Sequence, residues 1–77
     1  MSQSLKDRVA ESLDAYFETL DGEWPNDLYT LVLAQAEEPL LVAVLARCDQ
    51  NQTRAAEALG ISRNTLRTRM KRYGILD

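Results

Sequence analysis

Residues 51–77 read NQTRAAEALGISRNTLRTRMKRYGILD, and this stretch decides the fold. Ala55, Ala56 and Leu59 fall at i, i+1 and i+4, which predicts a first helix from about Gln52 to Leu59 whose alanines permit close approach of a partner. Asn51 and Thr53 are both candidate caps for its start, because either side chain can accept from an otherwise unpaired backbone N–H. Gly60 supplies the residue that tolerates positive φ just past a helix end. Ile61 then plugs the corner, and Ser62 is a good N-cap for a second helix that Gly74 stops. Two short helices joined by such a turn are the outline of a helix-turn-helix.

In the second helix Leu66, Met70 and Tyr73 recur at i, i+4 and i+7 as one inward stripe. At about 100° per residue the opposite arc holds Asn64, Arg67, Thr68 and Lys71, with Arg63 and Arg72 on its flanks. That arc offers guanidinium forks near the helix start, where base edges are contacted, and cations towards its end, where phosphates are nearer. The bland alternative is a solvated helix with ordinary surface charge.

Upstream, Leu5, Val9, Leu13, Tyr16, Phe17 and Leu20 form a stripe over about four helical turns, ended by Asp21 and Gly22. Trp24 and Pro25 fill a connection, and Asn26 or Asp27 is the expected cap of a second long helix. It carries Leu28, Leu31, Val32, Leu40, Leu41, Val44 and Leu45, more apolar surface than a small monomer easily covers. Two copies crossing would cover it. Pro39 removes one backbone hydrogen bond inside this helix, and the pattern alone admits either a kink near Glu37 or a break into two helices.

Charge separates the same two halves. The formal total is −3, yet residues 1–46 hold Lys6 and Arg8 against nine acids, a net of −7, while residues 47–77 hold seven cations against three acids, a net of +4. Only the C-terminal end should approach phosphate favourably. With 77 residues there is room for one small domain. Its single Cys48 cannot make an internal disulfide, and no His is present, so neither a metal site nor a cofactor is expected. Cys48 reads as a partly buried filler near a helix end. The chain lacks a His, a carboxylate pair in an apolar setting and a phosphate loop, so it is not expected to be an enzyme. No apolar run is read as approaching membrane-spanning length, and the N-terminus lacks a secretory pattern, so no membrane partner is expected.

The segments NQTRAA, TLR and KRYG, with LKDRVAESLDAYFETLDG and NDLYTLVLAQAEEPLLVAVL upstream, resemble the Fis family of bacterial nucleoid-associated, DNA-bending regulators. The similarity runs from Leu5 to Ile75. It implies an all-α fold of four helices: two long dimerisation helices within residues 1–47, then a helix-turn-helix over 51–75, in one domain forming an intertwined homodimer. EPLL resembles the family's context for a proline that bends the long helix without ending it, so the resemblance implies the kink. Leu13, Phe17, Leu31, Leu41, Val44 and Leu45 are the expected dimer contacts. Carried over by position, Arg63 would read a guanine in each half-site, and Arg67 would contact a base or its neighbouring phosphate. Asn51, Thr53, Thr65, Arg69, Lys71 and Arg72 would hold the DNA backbone, with Ser62, Asn64 and Thr68 also at the interface.

Ser62 stands where the family commonly has Asn, and Thr68 where it has Lys. These departures put a base contact at the helix start in question and remove one phosphate partner. Only four residues precede Leu5, so the expected form is a short one, a complete protein without the family's mobile β-hairpin arm. The implied partners are double-stranded DNA, a second copy of the chain, and RNA polymerase or other transcription proteins, in the cytoplasm and nucleoid. Two alternatives are a detached C-terminal DNA-binding domain of an enhancer-binding activator and a helical protein-interaction module.

Overall fold

A computed structural model describes residues 3–75 as α1 (Leu5–Thr19), α2 (Leu28–Arg47), α3 (Gln52–Leu59) and α4 (Arg63–Arg72), with no strand among the described residues. The architecture is all-α, as expected. Met1, Ser2, Leu76 and Asp77 lie outside the described residues, and with them part of the short lead before Leu5.

Each helix end has a local cause. Ser4 caps α1 by accepting from the Asp7 N–H at 3.1 Å, and the chain leaves that helix through left-handed Asp21 and Gly22. Of the two candidate caps for α2, Asp27 occupies the position, but its backbone is left-handed (φ 57°) and its side chain makes no capping hydrogen bond. That expectation is corrected: Asp27 serves there as a residue tolerant of positive φ rather than as an acceptor. At the start of α3 the side chain of Asn51, not Thr53, accepts from the Arg54 N–H at 3.1 Å.

The last three helices end alike. Gln50 N–H returns to the Leu45 carbonyl at 2.8 Å, Ile61 N–H to that of Ala56 at 3.1 Å, and Ile75 N–H to that of Met70 at 2.9 Å. In each case the residue just before the donor is left-handed: Asp49 (φ 53°), Gly60 (φ 76°) and Gly74 (φ 69°). This six-to-one closure satisfies carbonyls that the helix leaves unpaired. All three carbonyls belong to core residues, so the turns are closed beside the core. Gly60 and Gly74 announce this chemistry in the sequence; Asp49 does not.

Of the two readings of Pro39 the break does not occur: α2 continues through it as one helix of 20 residues. By length and composition this helix is apolar enough to cross a membrane, which corrects the expectation that no run approaches such a length. Its C-terminal end is instead packed within the chain. Leu41 and Leu45 are 2% and 1% exposed, clustered with Ala55 and Ala56 of α3 and Leu66 and Met70 of α4. Val44, Cys48, Leu59, Ile61, Tyr73 and Ile75 pack around that cluster. Leu41 and Leu45 were expected at a dimer interface; in this structure they hold the helix-turn-helix onto α2. Cys48 is the half-buried filler at a helix end that its context suggested.

The first half of the chain is different. No residue of α1 is buried, and none of α2 before Leu41. Leu5, Val9, Leu13 and Tyr16 instead line one side of an open groove of ≈570 Å³, faced by Leu28, Leu31, Val32 and Leu40 across it.

Candidate nucleic-acid interface

The second helix of the helix-turn-helix, α4, buries Leu66 and Met70 and leaves most of its cations at the surface. Ser62 begins it, accepting from the Thr65 N–H at 3.0 Å and donating its hydroxyl to Thr65 Oγ1 at 2.9 Å. Both side chains are thereby spent on the cap, a role that an Asn at position 62 would fill equally well. The Thr68 hydroxyl likewise donates to the Asn64 carbonyl one turn back, at 3.0 Å. A lysine there would extend outward; the threonine does not.

Arg63, Asn64, Thr68, Lys71 and Arg72 are exposed, as are Asn51, Thr53 and Arg54 at the start of α3. Among the described residues no carboxylate lies within 4 Å of Arg63, Lys71 or Arg72, so their charge is uncompensated by ion pairing. Arg67 is half-buried because its Nη1 donates to Gln52 Oε1 at 2.9 Å, tying the middle of α4 to the first turn of α3. This bond restricts the guanidinium to one direction and leaves other donors of its fork unspent. Gln52 went unremarked in the sequence, and no local signal singles it out.

Arg69 does not join the outward group. Its Nε lies 3.7 Å from Glu37 Oε2 on α2, while the Tyr73 hydroxyl donates to Glu37 Oε1 at 2.5 Å. The accepting Glu37 carboxylate, helped by desolvation and opposed by nearby Arg72, holds the Tyr73 phenol above its ordinary value. Glu37 was visible in the sequence only as a charge in an apolar run, which is the one signal that could have flagged it. The expected interface residues thus divide. Arg63, Asn64, Lys71 and Arg72 are exposed; Arg67 is half-buried and tethered to Gln52; Ser62, Thr65 and Thr68 serve helix geometry; Arg69 turns back to α2.

This cationic helix on a compact helix-turn-helix matches, over residues 32–73, the family described as "Bacterial regulatory protein, Fis family". Proteins called "DNA-binding protein Fis" are similar along most of the chain. That of Proteus mirabilis (strain HI4320) is 51% identical over 71 residues, which are 92% of this chain and 72% of the relative. That of Haemophilus influenzae (strain PittEE) is 49% identical over 74 residues, 96% of this chain and 75% of the relative. The chain belongs to the Fis family. The Fis match spans α2 from Val32 onward together with α3 and α4, and so includes all six buried core residues.

Proposed function

We propose that this chain binds double-stranded DNA as a two-fold homodimer, bends it, and acts as a nucleoid-associated regulator of transcription in the cytoplasm. The observation that carries this reading is the outward face of α4, where Arg63, Lys71 and Arg72 stand exposed and unpaired among the described residues. Such a face pays little desolvation of ion pairs on meeting phosphate, and releases counterions when it does.

Arg63, in the first turn of α4, is the base-reading residue in this proposal, with a bidentate fork suited to a guanine edge. Arg67 adds a base or adjacent phosphate contact from its Gln52-held position. Asn51, Thr53, Lys71 and Arg72 hold the backbone. Leu13, Phe17 and Leu31 pack against the second copy, and Val44 extends that surface. RNA polymerase or other transcription proteins are further partners in this reading. If the two recognition helices sit closer together than one turn of straight duplex, both reach adjacent major grooves only when the duplex bends. Sequence preference then falls partly on the deformability of uncontacted central base pairs. The alternatives, a detached activator domain or a protein-interaction module, have no specific observation in their favour.

The test is footprinting combined with a permuted-site mobility assay on fragments with A/T-rich centres. A two-fold symmetric footprint and position-dependent mobility are expected. Absence of duplex binding at micromolar protein and moderate salt would defeat the proposal, and binding without position dependence would remove the bending.

A further inference from the structure

Resting on the DNA-binding reading above, we propose that Glu37 is a charge clamp: it holds the far end of the recognition helix to α2 and withholds Arg69 from the DNA backbone. The count of phosphate-reaching cations on α4 is then set from another helix.

The two oxygens of Glu37 take two residues of α4 that lie one turn apart. Oε1 accepts from the Tyr73 hydroxyl and Oε2 faces Arg69 Nε. Arg69 and Tyr73 are four residues apart and share a face. Arg69 and Lys71, two residues apart, lie about 160° apart around a helix of 3.6 residues per turn. The cationic sequence RTRMKR therefore sends its charges in different directions, and one of them points back at the chain's own carboxylate.

An exposed ion pair alone holds little, because two flexible side chains must be ordered for it. Here the tyrosine fixes the carboxylate, so only the arginine remains to be ordered. Both partners are about two-thirds covered, with side-chain exposures of 36% for Arg69 and 31% for Glu37. The rest of α4's cations have no such carboxylate among the described residues.

Removing this acid should increase the salt dependence of DNA binding, by freeing one more cation. Glu37→Gln keeps an amide oxygen to accept from Tyr73 and discards the charge. The measurement is log Kobs against log salt for the full chain on one duplex, with circular dichroism as the check on folding. The slope should steepen by about 0.9 for each subunit engaged, since each neutralised phosphate contributes roughly that much. Arg69→Gln should leave the slope at its parental value. Glu37→Gln with Arg69→Gln should restore it.

A general change of field would instead make Arg69→Gln shallower by the amount that Glu37→Gln is steeper, and that symmetric outcome overturns the clamp. So does a folded Glu37→Gln variant with an unchanged slope. Should Glu37→Gln fail to fold, Arg69→Gln decides alone: a shallower slope means that Arg69 already touches phosphate. A parental protein with no salt-dependent duplex binding defeats the DNA reading itself, and the clamp with it; every other failure is the clamp's own.

Discussion

The two halves of the chain use similar apolar content to opposite ends. From Leu41 onward, six residues of three helices close a core within one copy. Before Leu41 none of the described residues is buried: Phe17 is 41% exposed, Leu31 39%, Leu5 77% and Tyr29 79%. The difference teaches that burial here follows tertiary contact rather than hydrophobicity, since α2 carries apolar residues along its whole length and only Leu41 and Leu45, clustered with α3 and α4, are buried. A core formed in one copy stabilises at any concentration. An apolar face without a partner does so only by mass action with a second copy.

The largest expected effect would break the closed half. Leu66 is fully buried between helices, so Leu66→Ala should cost about 2–5 kcal/mol through lost transfer and a residual cavity. Urea unfolding should show this loss at every protein concentration; a loss below 1 kcal/mol would mean that the core is less closed than its burial indicates.

The open half should fail differently. We predict that Leu31→Asp or Phe17→Asp prevents association, because each places a charge where an apolar contact is proposed. Sedimentation should report a monomer at micromolar concentration, with DNA affinity falling alongside. A variant that stays dimeric removes that residue from the interface.

A finer contrast lies along α4 itself. Arg63→Ala should cost about 1–3 kcal/mol on a specific site and relax preference at one base pair per half-site. Lys71→Ala should weaken all sequences alike and reduce the salt slope by roughly one per subunit. Competition between a specific site and a guanine-substituted one, at several salt concentrations, separates them. Equal weakening of both sites by Arg63→Ala would transfer base reading to Arg67 or leave it to DNA shape.

The smallest effect concerns Tyr73, whose phenol is held above its ordinary value chiefly by its bond to Glu37. A raised folded value means that the neutral form is favoured in the fold. Its contribution is fully present below the unfolded value near 10 and is lost as pH rises through the folded value. Tyr73→Phe should therefore lower stability slightly at neutral pH and flatten its decline in alkali. Parallel curves for the two proteins from pH 9 to 11 would contradict the linkage.

Local rules were legible in the residues themselves. The span Gln52–Leu59, the cap Ser62, Asn51 as one of two candidate caps, the left-handed Gly60 and Gly74 and the inward stripe Leu66–Met70–Tyr73 all depend on interactions within a few residues. Charge asymmetry was equally plain, because it needs only counting. Which leucines of α2 serve the core and which the groove was not legible, because α2 is apolar nearly all round and periodicity cannot rank its faces. Nor was the diversion of Arg69, or the tether of Arg67 to Gln52, which join residues 32 and 15 positions apart. A sequence specifies what each residue can do within its own turn of helix. Which of two neighbouring arginines is left without an ion pair depends on the carboxylate that folding carries to its side.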